Sequence, residues 1–108
     1  MLQIKTFRRD DAQPFWDWLV SLRDIQARAR IRTRIDRLGL GNFGDHRVLD
    51  GGVIEPKIDW GPGYRVYLSK VGNTIVLLLC GGDKRTQSKD IATAKKYLKE
   101  YQDAQKDR

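Results

Sequence analysis

The sequence predicts an α+β domain in which an N-terminal strand and a helical hairpin pack on a small, mainly antiparallel sheet, followed by a C-terminal helix. Three observations predict this fold. Apolar residues alternate in the first few positions, recur at helical spacing in the region that follows, and later form short stretches separated by glycine turns. The expected order of elements is β-α-α-β-β-β-α.

The first strand and the first helix are marked by simple apolar patterns. Leu2 and Ile4 alternate with polar residues, so residues 2–7 are predicted to form a half-buried strand. A pair of aspartates shortly before Pro14 is typical of a helix start, because acids are favoured near the positive end of the helix dipole. Apolar residues at helical spacing extend this helix to about Leu22.

A second helix is predicted from an apolar stripe. Its members are Ala27, Ile31, Ile35 and Leu38. Arginines crowd the rest of the helix surface, namely Arg28, Arg30, Arg32, Arg34 and Arg37. They form either a solvated face or a surface that contacts phosphate or a protein partner. The helix is expected to end at Gly39 or Gly41, and the glycine-rich stretch up to His46 is predicted to be a loop.

Three strands are predicted in the second half of the chain. Residues 53–59 alternate, but Pro56 lacks an amide hydrogen, which favours an edge position or a bulge. Residues 64–70 follow a Gly-Pro-Gly turn and also alternate. The run 74–80 is almost wholly apolar, which predicts a central strand covered on both faces. A short turn between these last two strands predicts that they pair antiparallel.

The last predicted element is a helix with Ser88 as its N-cap and Asp90 in its first turn. Its buried stripe is expected to comprise Ile91, Ala94, Leu98 and Tyr101. The polar residues 102–108 are expected to fray. A chain of 108 residues has the length of one ordinary domain, so residues 1–108 are predicted to form a single domain.

The charge of the chain predicts its kind of partner. Its 21 Lys and Arg against 14 Asp and Glu give a formal net charge of +7, which favours nucleic acid or a ribonucleoprotein, with an acidic protein as the alternative. The single cysteine, Cys80, is expected to be a buried thiol, so an intrachain disulfide is excluded. No signal peptide and no run of roughly 18 apolar residues is present. The sequence therefore predicts a cytoplasmic protein that does not bind membranes.

Motifs for metals, cofactors and activated nucleophiles are missing from the sequence. The zinc motif HExxH, the Walker loop and the Rossmann fingerprint are all absent. The Gly-Gly-Asp-Lys segment 81–84 lacks the spacing of a phosphate loop, and His46 is interpreted as a surface residue. We therefore expect no metal and no small-molecule cofactor.

What remains is a set of basic and phenolic side chains on the predicted strands and just beyond them. Its members are Lys57, Arg65, Tyr67, Lys84 and Arg85. Alternation puts Arg65 and Tyr67 on one face of their strand, and Lys57 converges with them if the neighbouring strand presents it on that face. The alternative is that Glu55 forms a cross-strand salt bridge to Lys57 or Arg65 with no further role.

The chain also resembles a known family in segments that span nearly its whole length. The segments are 55–58, 61–67 (Gly-Pro-Gly-Tyr-Arg-Val-Tyr), 77–84, Gln87, 90–91, Ala94, and the arginine-rich helix end 34–38 with the glycines after it. They are similar to the addiction module killer proteins of the RelE/ParE superfamily, the HigB/RelE-like toxins of type II toxin–antitoxin systems. The resemblance implies a small sheet packed against an N-terminal helical hairpin, and a helix-turn-helix antitoxin as the partner.

The resemblance further implies cleavage of mRNA, commonly on the ribosome. In ribosome-dependent relatives basic residues surround the scissile phosphate, and by matching these are Lys57, Arg65 and either Lys84 or Arg85. Family members commonly carry arginine where this chain has Lys57 and an aliphatic residue where it has Pro56. The C-terminal tyrosine or histidine of some relatives has no clear counterpart here, so the general acid and base stay open.

RNA cleavage without a metal can use the ribose 2′-hydroxyl as nucleophile, so the protein must move protons and stabilise charge on phosphorus. Arg65 suits the clamp on the phosphorane because its planar fork can bond two oxygens. Lys57 is a candidate base, and Lys84 or Arg85 would share the charge stabilisation. Tyr67 would stack on a base or donate a proton. The arginines of the second helix are candidates for RNA binding or antitoxin docking.

Two other functions stay open at this point. A ParE-like member of the same fold poisons DNA gyrase and cleaves nothing. A chain that has lost toxicity would instead serve as a non-catalytic module that binds its antitoxin. Because a fold alone does not fix a function, the choice among the three depends on the site.

Overall fold

The computed structural model describes residues 1–106 and has an α+β architecture. Its strands and helices are β1 (Gln3–Thr6), α1 (Pro14–Ser21), α2 (Ile25–Gly39), β2 (His46–Val48), β3 (Ile54–Ile58), β4 (Tyr64–Val71), β5 (Ile75–Asp83) and α3 (Gln87–Lys106). Two short 3-10 turns, Asp50–Gly52 and Lys84–Thr86, precede β3 and α3. The predicted fold class is confirmed.

One five-stranded sheet with the order β1-β5-β4-β3-β2 organises the molecule. The edge strand β1 runs parallel to β5, and the other three pairs are antiparallel. The predicted antiparallel pairing of β4 with β5 is therefore confirmed, as is the central position of β5. Helices α1 and α2 contribute to the core on one face of the sheet, and α3 contributes to the core on the other.

The short strand β2 is missing from the predicted order, which has one strand fewer than the structure. All three β2 residues are exposed, so the strand carries no apolar pattern that a sequence could reveal. Its pairing with β3 makes β3 an interior strand, and the predicted edge position for Pro56 is wrong.

The hydrogen-bond ladder between β3 and β4 is interrupted at Pro56. The Lys57 amide donates to the Asp45 carbonyl at 2.9 Å, on the β2 side. Successive amides of a strand point in opposite directions, so the nitrogen of Pro56 faces β4. In the β3–β4 register Ile54 pairs with Leu68 and Lys57 pairs with Arg65, and the two β3 positions between them have no partner. This gap is expected because proline has no amide hydrogen to donate.

Both faces of the sheet are buried, and each has its own core. The core under α1 and α2 includes Phe15, Leu19, Ile31, Leu38, Val66, Leu68, Val76 and Leu78. The core under α3 includes Val53, Tyr67, Leu77, Leu79, Cys80, Ala94 and Leu98. Alternation in β4 thus divides its side chains as predicted, but the face expected to carry the site is itself largely covered by α3.

A bulge in β5 turns the end of this strand. The pairs Tyr67↔Cys80 and Leu68↔Leu78 leave Leu79 as an extra residue, so Leu79 and Cys80 both belong to the α3 core. The Cys80 thiol donates to the Asp90 carbonyl at 3.6 Å, and burial raises the pKa of this thiol to about 12. The predicted buried thiol is confirmed.

The glycine pair after the bulge is required by close packing on both faces of β5. A Cβ placed on Gly81 would lie 2.3 Å from the ring of Trp18 in α1. A Cβ on Gly82 would lie 1.8 Å from a carboxylate oxygen of Asp90 in α3. The two glycines therefore let helices from both faces approach the strand end.

The helix ends differ in part from the prediction. Asp24 caps α2, since its carboxylate accepts the Gln26 amide at 2.9 Å and the Ala27 amide at 3.1 Å. Helix α3 begins at Gln87, so Ser88 lies inside it and is not its N-cap. The predicted frayed tail is helical as far as Lys106, and residues 107–108 lie outside the described residues. No helix within residues 1–106 is long and apolar enough to cross a membrane.

Truncation of Leu78 to alanine should destabilise the fold. Leu78 is 1% exposed in the core beneath α1 and α2, and a buried leucine truncation costs about 2 to 5 kcal/mol of unfolding free energy. Leu40→Ala is the matched control, because Leu40 is 69% exposed at the end of α2 and its loss should cost no more than about 0.5 kcal/mol. Urea unfolding of both variants measures the difference, and equal midpoints would contradict this description of the core.

Candidate functional site

A cleft of about 440 Å³ opens at the end of the sheet where β3 ends and β4 begins. Its lining residues are Asp45, Lys57, Asp59, Gly61, Pro62, Gly63, Arg65 and Lys84. Three of the predicted site residues, Lys57, Arg65 and Lys84, therefore meet in one cavity with two carboxylates. We call this cavity the cationic cleft.

The sheet register brings the first two of these cations together. Lys57 and Arg65 are directly paired across β3 and β4, so their side chains project from the same face. The Lys84 amide donates to the Gly63 carbonyl at 2.9 Å, which ties the end of β5 to the turn before β4. Three separate chain segments are thereby held around one opening.

The Arg65 guanidinium lies against the turn that precedes its own strand. Its Nη1 donates to the Tyr64 carbonyl at 3.2 Å, and a Cβ placed on Gly63 would lie 3.3 Å from the same nitrogen. Gly63 has a φ of +81°, a conformation that other residues rarely adopt. Within residues 1–106 the buried Nε of Arg65 has no hydrogen-bond partner. The side chain therefore keeps donor capacity that no described protein group uses.

Arg85 lies outside the lining of the cationic cleft, although the sequence could not choose between it and Lys84. The Arg85 Nη2 is 3.0 Å from Oδ2 of Asp83, and the Arg85 side chain is 80% exposed. The hydrogen bond from Arg85 holds the pKa of Asp83 below its usual range. The structure thus selects Lys84 as the third cation, because Arg85 is already paired.

Tyr67 is not in the cleft, which corrects its predicted role. Its side chain is fully buried beneath α3, and its hydroxyl lies near the Glu55 carboxylate without reaching hydrogen-bond geometry. Burial, and then the adjacent carboxylate of Glu55, raise the pKa of this phenol. Tyr67 can neither stack on a base nor donate a proton to a ligand while α3 stays packed on the sheet.

Glu55 bonds different partners from those that the sequence suggested. One carboxylate oxygen accepts from Arg47 Nε at 2.8 Å, and the other accepts from Gln87 Nε2 at 2.9 Å. Burial raises the pKa of Glu55, but the hydrogen bonds from Arg47 and Gln87 outweigh it, so the pKa is lowered overall. The predicted alternative of a salt bridge to Lys57 or Arg65 is wrong, and Glu55 does not neutralise those cations.

Arg34 is a structural residue and is not available as an RNA contact. Its Nη1 donates to the Lys57 carbonyl at 2.6 Å, and its Nη2 donates to the carbonyls of Phe43 at 3.0 Å and Asp45 at 2.7 Å. Burial lowers the pKa of this guanidinium. The side chain thus fastens α2 to β3 and to the loop before β2, and it holds two backbone segments of the cationic cleft.

The remaining arginines of α2 point in two directions. Arg30 lies over the ring of Trp60 at 3.8 Å from the ring centre, and Arg37 is exposed on the same side of the helix. Arg28 and Arg32 line a separate depression with Ile25, and Arg32 lies over Trp16. The predicted set of five RNA-binding arginines therefore does not form one surface.

The two carboxylates of the cleft were not predicted as site residues. Asp59 comes two residues after Lys57, just past the end of β3, so the alternation of the strand predicts that it lies on the same face. Asp45 comes from the loop before β2, where no pattern marks it. Within residues 1–106 no group of three His, Cys, Asp or Glu side chains is placed to hold a metal ion.

Fold and cleft together define a small basic α+β protein with a cationic cleft at one end of its sheet. No family model matches the chain. The chain is 49% identical over 94 residues to an uncharacterised protein of Haemophilus influenzae, an alignment that covers 87% of this chain and 90% of that relative. The chain belongs to the same family as that protein.

Replacement of Glu55 by glutamine should remove part of the acid dependence of stability. The ordinary pKa of this carboxyl is 4.5, and its folded value is lower. Its ionisation therefore stabilises the fold fully above the unfolded pKa, and this contribution is lost as the pH falls through the folded pKa. We expect the difference in unfolding free energy between wild type and Glu55→Gln to be largest above about pH 5 and to shrink on acidification.

Urea unfolding of both proteins across the acid range measures this difference. Arg47→Ala provides the internal comparison, because it leaves the buried carboxylate without its charged partner, and the double variant should lose less than the sum of the two single losses. A constant gap at all pH values would show that the ionisation of Glu55 does not stabilise the fold.

Proposed function

We propose that this chain is the toxin of a type II toxin–antitoxin pair, of the RelE/ParE superfamily and similar to its HigB/RelE-like killer proteins. Its activity would be metal-independent cleavage of mRNA at the ribosome in the cytoplasm, which inhibits translation. The observation that carries the proposal is the convergence of Lys57, Arg65 and Lys84 in one cleft. These are three of the positions to which the family resemblance assigns contact with the scissile phosphate.

The charge of the chain supports a polyanionic substrate. The formal net charge is +7, and the lining of the cleft carries three basic side chains against the two acidic ones of Asp45 and Asp59, while Glu55 bonds Arg47 and Gln87. Phosphate groups are attracted by such a concentration of positive charge, and Arg65 can bond two phosphate oxygens at once. A nucleic acid backbone therefore fits the cleft better than an uncharged ligand.

The proposed reaction is attack of a ribose 2′-oxygen on the adjacent phosphorus. The bond from the 2′-oxygen to phosphorus forms, the bond from phosphorus to the 5′-oxygen breaks, and the products are a 2′,3′-cyclic phosphate and a 5′-hydroxyl. Arg65 and Lys84 stabilise the extra negative charge in the transition state. The Asp59 carboxylate, or Lys57 in its neutral form, accepts the 2′-proton, and protonated Lys84 donates a proton to the leaving oxygen.

The proposed partner is a helix-turn-helix antitoxin with an acidic segment. Such a segment would cover the cationic cleft and neutralise its cations, and complementary potentials favour fast association. Co-purification of the product of an adjacent reading frame would reveal this partner. A complex that tolerates charge reversal at both Arg65 and Lys84 would show that the antitoxin binds elsewhere.

Arg65→Ala should abolish mRNA cleavage and growth inhibition without unfolding the protein. Removal of one charge-stabilising donor costs about 10²–10³ in rate. Primer extension on mRNA in a translating extract measures cleavage, and a thermal melt of the same sample reports the fold. The matched control is Lys70→Ala, which removes one positive charge from an exposed position roughly 16 Å further along the same strand.

Each outcome of this comparison has a distinct meaning. A folded Arg65→Ala protein that cuts at the wild-type rate would remove Arg65 from the site. Equal losses in both variants would show that overall charge, and not the cleft, governs the activity. A wild-type protein that arrests growth without cutting mRNA would overturn the nuclease proposal, and inhibition of DNA gyrase would then identify it as a gyrase poison.

Binding to RNA or to ribosomes should weaken steeply with salt. Each neutralised phosphate releases counterions and contributes nearly one unit to the slope of log affinity against log salt. Loss of Arg65 should therefore reduce that slope by about one, whereas Lys70→Ala should leave it unchanged. Fluorescence anisotropy over a salt series measures both slopes. A slope near zero for the wild type would rule out a nucleic acid partner.

A further inference from the structure

A second cavity, of about 480 Å³, lies between α2 and the end of β3. We call it the α2 groove; its lining includes Gln26, Arg30, Thr33, Arg37 and Asp59. We infer that this groove is a second nucleotide subsite, in which a base of the RNA strand stacks on Arg30 while the scissile phosphate occupies the cationic cleft. The inference rests on the proposed function and names the path of its substrate.

The two cavities adjoin each other in the structure. Asp59 lines both of them, so the two cavities are neighbours that meet at this residue. Arg34 also lines the groove while it bonds the Lys57 carbonyl, which fixes the wall between the two cavities. Both volumes fall within the range of about 300–1,000 Å³ that is usual for ligand pockets. One strand of RNA can therefore occupy both cavities in succession.

The Arg30 guanidinium lies against an aromatic ring. Its central carbon lies 3.8 Å from the centre of the Trp60 ring, well within the distance of a cation–π contact. The Trp60 indole is fixed in turn, because its Nε1 donates to the Asp24 carboxylate at 3.0 Å. Arg30 is exposed and lines the groove, so the face of the guanidinium opposite the indole is available to a ligand.

A fixed guanidinium plane is a platform for a nucleobase. Unstacked bases of single-stranded RNA bind on aromatic rings and on arginine planes, and this contact tolerates different sequences. Arg37 lies two helical turns further on the same side of α2, roughly 10 Å along the helix, and supplies a cation for the backbone. An acidic peptide would satisfy these charges but would leave the stacking face unused. The geometry therefore favours RNA over a protein segment.

The test uses a single-stranded RNA made uncleavable by 2′-O-methyl groups and labelled with 2-aminopurine, a base whose fluorescence falls when it stacks. Arg30→Lys keeps the charge but removes the plane, so we expect about tenfold weaker binding and loss of the fluorescence change. Arg23→Lys is the matched control, because the same exchange is made at an exposed arginine that lines neither cavity. It should bind as the wild type does.

Cleavage of mRNA on ribosomes is measured for the same variants, which separates this inference from the proposed function. Arg30-dependent stacking in a wild-type protein that never cuts would support the subsite and overturn the nuclease. A protein that cuts, but whose Arg30→Lys variant binds and stacks as the wild type does, would overturn the subsite alone. Absence of binding to the probe, or Arg30-dependent binding of a polyglutamate peptide in place of RNA, would also overturn it.

Discussion

The arrangement of the candidate site depends on one half-buried guanidinium. Arg34 donates to three backbone carbonyls, those of Phe43, Asp45 and Lys57, which belong to the loop before β2 and to β3. Gly44 lies so close to this side chain that a Cβ would sit 3.0 Å from Nη2, and its φ of +58° also favours glycine. Loss of Arg34 would remove these three hydrogen bonds, and of the three carbonyls only that of Asp45 would keep a second donor among the described residues, the Lys57 amide. Arg34 therefore links the helical hairpin to the cleft and to the loop before the short edge strand, in addition to the pairing of β2 with β3.

The sheet separates the charged side chains that stabilise the fold from those that remain accessible to a ligand. On β3, Glu55 is fully buried and bonds Arg47 and Gln87, whereas Lys57 lies two positions further along the same face and lines the cleft. Helix α3 covers Glu55. At Lys57 the sheet extends past the end of α3. A period of two thus places a buried carboxylate and an accessible cation side by side. Because the buried carboxylate is satisfied by other partners, the cations of the cleft keep their charge for a ligand.

Much of the fold was predictable, because apolar periodicity records which faces are buried. The helices, β1 and the three long strands all carry such a pattern, and the convergence of Lys57 with Arg65 follows from alternation alone. Other features depend on tertiary contacts that no local pattern reports. Arg34 is indistinguishable in sequence from the other arginines of α2, and the burial of Tyr67 depends on where α3 docks. The exposed strand β2 has no apolar residue facing a core, so it left no signal.

The parallel pairing of β1 with β5 has a consequence for the nascent chain. Within residues 1–106, β1 precedes the other strands in sequence, yet its neighbour in the sheet is β5, with Gln3 opposite Ile75. Contacts so distant in sequence form late, since the intervening chain must be present before they can close. The cleft likewise needs Lys84, which follows β5 in the chain. During vectorial synthesis neither the complete sheet nor the cleft can therefore form before β5 and Lys84 have left the ribosome.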